Sequence, residues 1–156
     1  MKLKARPATI KDRAQLLDWA NDQEIRKRSF MTRRITDEEH DKWLSRVLAD
    51  KENQCLFIME NQDASSCGQV RFSRNGGDDW EIHFSIAAQF RGQKLGAQMI
   101  RVGLDAFVEN AQRSRIIAKV KTNNTASLRV LATAGFEKDE KCASNDLETR
   151  LIYIPK

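Results

Sequence analysis

The stretch that decides the fold is residues 89–97, which read Gln89-Phe90-Arg91-Gly92-Gln93-Lys94-Leu95-Gly96-Ala97. An apolar, strand-like run over residues 80–87 precedes it, and a helix-like run over residues 95–108 follows it. The first turn of a helix has N–H groups without internal partners, and the helix dipole makes this end positive. Arg91 and Lys94 add full positive charges at the same place. The stretch therefore predicts a diphosphate-bearing ligand where this helix begins.

Length and composition predict a single globular domain over residues 1–156. Charged residues make up 31% of the chain and hydrophobic residues 40%, which is ordinary for a soluble protein. No apolar run approaches the roughly 20 residues that a membrane span requires. The N-terminal residues carry charge without an apolar segment behind them, so we expect no secretory signal. These features predict a cytoplasmic location and no membrane partner.

The charge balance favours an anionic small-molecule ligand over nucleic acid. The chain has 27 lysine and arginine residues against 22 aspartate and glutamate residues, a formal net charge of +5. The positive residues are spread along the chain, without the long basic tract or aromatic-interleaved patch of a nucleic-acid-binding protein. We therefore expect no nucleic-acid partner. A mildly basic, solvated surface is the alternative explanation of the charge.

Three cysteines, Cys55, Cys67 and Cys142, are scattered along the chain without metal-ligand spacing. An odd number of cysteines, in a chain for which no secretory signal is expected, favours reduced thiols. We expect each cysteine to be a buried structural residue, and we expect no metal site.

The order of the predicted elements indicates a mixed α/β (α+β) sheet with helices on both faces. Helix starts are predicted at Thr9 with Asp12, at Asp22, and at Thr36, whose stretch Thr36-Asp37-Glu38-Glu39 has the pattern of a capping box. Residues 75–78, Asn-Gly-Gly-Asp, predict a hairpin turn within an antiparallel meander. Strands are predicted over residues 3–6, 55–59, 68–73, 80–87, 116–120, 136–141 and 147–154, and further helices over residues 95–108 and from Asn124 or Thr125 to Gly135.

Three segments in this order resemble the GNAT acetyltransferase superfamily over essentially the whole chain. The loop Arg91-Gly92-Gln93-Lys94-Leu95-Gly96 is similar to the family's Gln/Arg-x-x-Gly-x-Gly/Ala loop for acetyl-CoA. Asn124-Thr125-Ala126-Ser127, followed by Gly135-Phe136, is similar to the family's Asn-x-x-Ser helix that ends in Gly-Phe. The strand over residues 80–87 leads into the loop. A glycine loop before a helix is common, so the combination of segments carries the resemblance.

The resemblance implies a GNAT-like fold, with a largely antiparallel sheet, a central parallel pair and helices on both faces. It implies acetyl-CoA as co-substrate, without a metal. Family members splay apart the strands that follow Trp80 and Ile116, which leaves unpaired backbone groups for the pantetheine arm. Asn124 would contact the cofactor, cap its helix, or do both. The residues implied to bind the cofactor are Phe84, Ser85, Ile86, Arg91, Gly92, Gln93, Lys94, Leu95, Gly96, Ala97, Asn124 and Ser127.

A narrower resemblance, in the N-terminal half, is to GNAT enzymes of the pseudaminic acid pathway type, which acetylate amino groups of nucleotide-linked sugars. It rests on residues 19–26, 39–43 and 68–72. It implies a small-molecule amine acceptor, in particular a nucleotide-linked amino sugar. Enzymes that acetylate the N-termini of ribosomal proteins share part of this pattern and are the alternative. Trp19 and Trp43 would line the acceptor site or belong to the core, and a homodimer is one alternative for the assembly.

In the enzymes that the chain resembles, the amine attacks the thioester directly. This needs a neutral amine, a polarised thioester carbonyl and a protonated leaving thiolate. A backbone N–H near Ile86 would stabilise the oxyanion, and a base would take the ammonium proton. Glu81 and His83 are alternate residues of one predicted strand, so we expect them on the same side. Glu81 is the first candidate for the base and His83 the second, with a histidine of no catalytic role as the alternative.

Two positions depart from the family pattern. Leu131 stands four residues after Ser127, where many members have the tyrosine that protonates coenzyme A. Ser127, a water molecule or no group at all would then serve as the acid, and a non-catalytic coenzyme A-binding module becomes a further alternative. Lys94 stands where the family usually has glycine, and a left-handed backbone there would be strained.

Overall fold

The computed structural model of the chain describes residues 1–110, 114–141 and 147–156. Its strands and helices follow the predicted order, with short 3-10 turns added at Ile10–Asp12 and Ala88–Phe90. The helices are α1 (Arg13–Ala20), α2 (Gln23–Arg28), α3 (Asp37–Ala49), α4 (Gly96–Asn110) and α5 (Thr125–Thr133). The strands are β1 (Lys4–Pro7), β2 (Gln54–Glu60), β3 (Ser66–Ser73), β4 (Trp80–Ile86), β5 (Ile116–Lys121), β6 (Glu137–Lys138) and β7 (Glu148–Tyr153).

The seven described strands form one sheet in the order β1-β2-β3-β4-β5-β7-β6. β4 and β5 run parallel, and the other described pairs are antiparallel. The mixed, largely antiparallel fold with a central parallel pair is therefore confirmed. The predicted hairpin joins β3 to β4, and Gly76 in its turn has a φ of +76°. Glycine suits this position because it has no Cβ to clash in the left-handed region.

Helices cover both faces of the sheet. Alternate residues of a strand point to opposite sides, and β2 carries apolar side chains on both sides. On β2, Leu56 and Ile58 pack in an apolar cluster with residues of α1 and α3. Phe57 and Met59 point the other way and join a larger cluster with residues of α4 and α5. We call the first side the α1–α3 face, and the site described below lies on it.

Two predicted helix starts differ in how completely they are capped. At Thr9 the capping box is formed, and the Thr9 N–H donates to the Asp12 carboxylate at 2.9 Å. At Thr36 the hydroxyl oxygen accepts from the N–H of Glu39 at 3.2 Å. The Glu39 carboxylate, however, accepts from Arg33 at 2.9 Å instead of from the Thr36 N–H. The glutamate half of that prediction was wrong, because a charged guanidinium is a stronger donor than a neutral amide.

The parallel pair stays together over a short distance only. Residues 80–81 pair with residues 116–117, and the described pairing of β4 with β5 ends there. β4 remains paired with β3 as far as Ile86, and β5 remains paired with β7 as far as Lys121. The two strands therefore diverge, which leaves the edge of β4 that faces β5 without a strand partner beyond Glu81. This opening is the splay that the family resemblance implies.

The described cysteines lie where their thiols are shielded. Cys67 is fully buried and Cys55 half-buried, and burial raises the pKa of both thiols. Cys142 lies outside the described residues. Over residues 1–110, 114–141 and 147–156, no helix is long and apolar enough to cross a membrane. The same residues hold no group of three or more histidine, cysteine, aspartate or glutamate side chains that could bind a metal ion.

Candidate functional site

The loop between β4 and α4 has a backbone suited to an anion. Gly92 has a φ of +76° and Lys94 a φ of +60°, and Gln93 between them has a negative φ. Residues that alternate between left-handed and right-handed conformations turn successive N–H groups toward one side and form an anion-binding concavity. α4 begins at Gly96, and its first N–H groups extend the same surface. The loop therefore offers the donors that a diphosphate requires.

Lys94 is the position in this loop where a positive φ is costly. A residue with a Cβ in the left-handed region is destabilised by about 1–2 kcal/mol relative to the right-handed region. The sequence predicts strain at Lys94 if its backbone is left-handed, and the φ of +60° shows that it is. The Lys94 side chain is exposed, so its charge lies at the solvent side of the loop. A strained residue at a candidate site is a typical cost of holding ligand-binding groups in place.

Arg91 has a partner that the sequence did not reveal. Its Nη2 donates to Asp22 Oδ1 at 2.7 Å, and its Nε donates to the Ile86 carbonyl at 3.2 Å. Burial alone would raise the pKa of Asp22, but hydrogen bonds from Arg91 and from the N–H of Ile25 outweigh it and lower that pKa. Arg91 thus ties the loop to the start of α2, and its charge is partly balanced.

Other residues of the loop serve through the main chain. Leu95 is 5% exposed and belongs to the core. A methyl group added at Gly96 would lie 2.9 Å from Val130 Cγ1, so a glycine lets α4 pack closely against α5. The Gln93 side chain donates to the Gln89 carbonyl at 3.1 Å and closes the loop on itself. For these three positions, a ligand would meet backbone N–H groups rather than side chains.

A cleft of about 640 Å³ lies on the α1–α3 face and extends into the opening between β4 and β5. Its floor carries polar and charged side chains from three neighbouring strands, and its opposite wall, from α1 to α3, is largely apolar. The opening contributes apolar side chains to its deeper part. The floor is formed by Gln69, Arg71, His83, Ser85, Lys119 and Lys121, the wall includes Trp19, Ile25, Phe30, Met31, Ile35 and Trp43, and the opening adds Phe84, Ile86 and Val120.

The sequence places Trp19 and Trp43 either in the core or at the acceptor site, and in the structure each belongs to the core and to the cleft. Trp19 and Trp43 pack against the apolar cluster under α1 and α3. Both also line the cleft. The indole of Trp43 lies 5.5 Å from the guanidinium of Arg71, which is cation–π range. Trp43 therefore joins the core to the floor of the cleft.

The end of the cleft near α5 contains the predicted Asn-x-x-Ser residues. Asn124 and Ser127 line it, and Asn124 Oδ1 accepts from the Ser127 N–H at 3.2 Å as a helix cap. Leu131 is fully buried in the larger apolar cluster, so it offers no group to the cleft. Tyr153 packs against Phe136 with ring centroids 5.3 Å apart and is not among the residues that line the cleft. Among the described residues that line this end of the cleft, Ser127 is the one that carries a hydroxyl.

Glu81 and His83 lie on the same side of β4, as predicted, but in different surroundings. His83 lines the main cleft. Glu81 lines a neighbouring cavity of about 540 Å³, whose lining also includes His83, Arg71 and Trp43. Glu81 Oε1 is 3.6 Å from His83 Nε2, and Glu81 Oε2 is 3.6 Å from Lys119 Nζ. The geometry thus brings His83 to the cleft with Glu81 behind it, the reverse of the order of candidates taken from the sequence.

His83 is held neutral by its surroundings. Burial, followed by the charges of Arg71 and Lys119, lowers its pKa from the ordinary 6.5 to about 3. Its side chain still keeps 39% of its exposure, toward the cleft. A neutral imidazole can accept a proton at physiological pH, whereas an imidazolium cannot. The two cations, however, weaken it as a base.

Two residues of the site, Arg71 and His40, were not predicted from the sequence to belong to it. Arg71 lies opposite His83 in the register of β3 and β4. His40 of α3 lines the cleft, is 2% exposed, and has both ring nitrogens without a described hydrogen-bond partner. The alternation of β3, with Val70 and Phe72 in the core, could have placed Arg71 on the cleft side. For His40, the helical spacing places it on the buried side but does not show its missing partners.

A splayed parallel pair, a loop with free backbone N–H donors at the start of α4 and an adjoining cleft are features of an acetyltransferase that uses acetyl-CoA as co-substrate. The chain matches the acetyltransferase (GNAT) domain family over residues 2–137 and belongs to that family. It is an enzyme, and the alternative of a non-catalytic module is set aside. A search of curated proteins found no match.

Solved structures share this fold at low sequence identity. Spermidine N-acetyltransferase from Vibrio cholerae, in complex with CoA and spermine, is 16% identical, with a TM-score of 0.80 over 97% of this chain and 95% of that one. Aminoglycoside acetyltransferase AAC(6')-Ib with coenzyme A and kanamycin is 18% identical, with a TM-score of 0.80 over 98% and 95%. A domain from Methanocaldococcus jannaschii is 21% identical, with a TM-score of 0.81 over 99% of both chains. At these identities the likeness concerns the fold.

Proposed function

We propose that the protein transfers the acetyl group of acetyl-CoA to the primary amine of a small molecule that also carries an anion, in particular a nucleotide-linked amino sugar. The charge of the cleft is the observation that supports this acceptor. Six cationic side chains line the cleft, against the two carboxylates of Glu24 and Glu39. The cations are Arg26, Arg28, Arg71, Arg91, Lys119 and Lys121.

This charge distinguishes the proposed acceptor from those of the structural neighbours. Spermidine and aminoglycosides, named with two of those proteins, are polycations. A polycation would be repelled by a basic cleft, whereas a phosphate-bearing acceptor would be attracted and steered into it. The proposal therefore gives this chain a different class of acceptor on the same fold.

A peptide N-terminus is the second candidate acceptor. Phe30 and Met31, on the apolar wall of the cleft, are 56% and 51% exposed. Large exposed apolar side chains at the mouth of a cleft suit contacts with peptide side chains. This observation favours the ribosomal-protein type of acceptor, but it leaves the cationic floor unused.

The proposed chemistry is direct attack. The amine nitrogen bonds to the thioester carbonyl carbon, the C–S bond breaks, and coenzyme A leaves as a thiolate. His83 accepts the proton that the amine nitrogen loses, with Glu81 behind it. Ser127 relays a proton from solvent water to the thiolate, so that its own hydroxyl is restored as the coenzyme A thiol forms. Backbone N–H groups near Ile86 stabilise the oxyanion. The loop over residues 91–97 holds the diphosphate of acetyl-CoA.

Coenzyme A thiol release with a panel of acceptors tests the proposal. The panel contains a UDP-linked 4-amino sugar, the methyl glycoside of the same amino sugar, a short peptide with a free N-terminus, and spermidine. We expect the UDP-linked sugar to have the highest kcat/KM, at least tenfold above its methyl glycoside. Turnover of the peptide without turnover of either sugar would replace the first candidate with the second. A preference for spermidine would contradict both.

A further inference from the structure

We propose that Arg71 is the anion-binding residue of the acceptor site, and that it pairs with a phosphate or carboxylate on the acceptor. This inference deepens the proposed function, since it assigns the acceptor's anion to one residue.

Arg71 stands in the wall between two cavities. It lines both the main cleft and the neighbouring cavity of about 540 Å³. The Trp43 indole, 5.5 Å away, covers one side of its guanidinium, and Gln54 Oε1 accepts from Nη1 at 3.2 Å. A guanidinium has five N–H donors in a planar fork, so these contacts leave donors available to a ligand in either cavity. The planar fork suits phosphate or carboxylate oxygens.

The charge of Arg71 is not balanced by an ion pair in the part of the chain that the structure describes. No described carboxylate lies within 4 Å of its guanidinium nitrogens, and the nearby Glu81 contacts His83 and Lys119 instead. Burial lowers the pKa of Arg71 to about 10, and the charge of Arg46 acts in the same direction against that of Glu81. A partly buried guanidinium whose described contacts include no carboxylate is stabilised when an anion binds to it.

The position of Arg71 also connects recognition with proton transfer. Arg71 and His83 face each other on the same side of the sheet, and Arg71 is the first of the two charges that weaken His83 as a base. An anion bound to Arg71 would neutralise that charge and make the His83 imidazole more basic. Acceptors with the anion would therefore gain in kcat as well as in affinity.

Calorimetric titration of the protein saturated with coenzyme A tests the assignment. At saturation, coenzyme A occupies the loop over residues 91–97, so an added anion must bind elsewhere. UDP is the phosphate probe, succinate the carboxylate probe, and uridine the neutral control. We expect UDP, succinate or both to bind and uridine to bind at least tenfold more weakly. The better probe identifies the anion, and binding equal to that of uridine by both would overturn the proposal.

The variants Arg71→Met and Arg71→Lys test whether the bound anion contacts Arg71. We expect Arg71→Met to weaken binding of the better probe about tenfold to a hundredfold, the range of one charge-assisted hydrogen-bonding residue, and Arg71→Lys to recover part of the loss. Lys51→Met, an exposed turn residue with the same loss of charge, is the control and should bind normally. Equal weakening in Lys51→Met and Arg71→Met would reduce the effect to net charge and overturn the proposal.

A measurement on the unmodified protein covers the case in which Arg71→Met does not fold. NMR titration of the two histidines, with and without the better of the two anionic probes, reports the local charge at His83. We expect that probe, but not uridine, to raise the pKa of His83, and an unchanged pKa would overturn the placement. The thiol-release panel is a separate outcome. If the UDP-linked sugar is not acetylated but the anionic probe still binds at Arg71, the proposed function alone is refuted. If the sugar is acetylated equally well by the unmodified protein and by Arg71→Met, this inference alone is refuted.

Discussion

Gly92 and Gly76 share one backbone φ angle in two different places. Both have a φ of +76°, and a methyl group added at either would meet no atom within 4 Å. Gly92 lies in the loop before α4, whereas Gly76 lies in the hairpin between β3 and β4. An aspartate at either position thus places a Cβ at the same positive φ and adds the same charge. The pair separates the effect of charge at the loop from the effect of strain.

Gly92→Asp is expected to weaken acetyl-CoA binding at least tenfold, because unit charges about 4 Å apart at a protein surface interact by about 4 kcal/mol. Gly76→Asp should keep the affinity of the unmodified protein. Calorimetric titration with acetyl-CoA measures both, and thermal unfolding shows that both are folded. Equal affinity in the two variants would mean that the diphosphate is bound elsewhere.

His83 has a local charge environment that one substitution can change. Lys119 contributes to lowering its pKa, and Lys119 also contacts Glu81 at 3.6 Å. Removal of the lysine charge favours the protonated imidazole and leaves the Glu81 charge less compensated, so both effects have the same sign. Lys119→Met is therefore expected to raise the pKa of His83 by about one pH unit.

NMR titration of the histidine Cε1–H signals checks this prediction. The chain has two histidines, and the pKa of the other, His40, is lowered by burial with Asp41, Arg13 and Asp37 as its charged neighbours. His40 should therefore titrate unchanged and serves as the internal reference. A His83 pKa that is unchanged in Lys119→Met would show that burial and the charge of Arg71 set it without a contribution from Lys119.

At the scale of elements, the register of β3 against β4 positions the site. Gly68 pairs with Ile86, which brings Gln69 opposite Ser85 and Arg71 opposite His83. A methyl group added at Gly68 would lie 2.2 Å from the Ser85 carbonyl oxygen and 2.7 Å from Met99 Cε. The close approach of the two strands thus depends on a glycine.

Gly68→Ala is expected to destabilise the fold by about 2–3 kcal/mol, since the added methyl must push β4 or α4 away. Gly77→Ala is the matched control, because nothing lies within 4 Å of a methyl group there, and a change within about 0.5 kcal/mol is expected. Urea unfolding gives both values. A Gly68→Ala protein as stable as Gly77→Ala would show that the strands can separate at little cost.

Elements that depend on local signals could be predicted from the sequence. The helix starts at Thr9 and Asp22, the hairpin at residues 75–78 and the end of α5 near Gly135 follow from short-range rules of capping and turn formation. The second half of the Thr36 cap could not, because Arg33 competes for Glu39. A local rule fails where a charged partner outside its pattern offers a stronger bond.

At the scale of the whole molecule, one buried imidazole, that of His40, and one partly buried imidazole, that of His83, couple folding to pH. The pKa of His40 and that of His83 both lie below the ordinary 6.5 in the folded chain, in each case with burial as the largest cause. The unfolded chain therefore binds more protons than the folded chain once the pH falls below about 6.5. The contribution of the two histidines to the free energy of unfolding is therefore complete above that pH, and it is lost as the pH falls toward the folded pKa values.

His40→Leu tests the contribution of the histidine that lies outside the proposed chemistry. The substitution removes two ring nitrogens without described partners and leaves a side chain that cannot be protonated. We expect equal or higher stability at pH 7.5 and a smaller decrease between pH 7.5 and 5, where one histidine contributes at most about 1.4 kcal/mol per pH unit. Urea unfolding at several pH values measures the slope, and an unchanged slope would assign the dependence to other groups.

The sequence by itself determined the order of elements, the class of fold and the loop that suits a diphosphate. These depend on hydrophobic periodicity, turn residues and helix starts, which act over a few residues. The loop residues 91–97 are contiguous, so their backbone donors could be predicted together with the helix that follows.

Only the tertiary structure decided which side chains share the cleft. Arg91 meets Asp22 across 69 positions of the chain, and Arg71 meets His83 through the register of two strands. The low pKa of His83 and the reduced charge available from Arg91 both result from these contacts. Burial and Coulomb interactions depend on distance in space, and the packing of the sheet against α1 to α3 sets those distances.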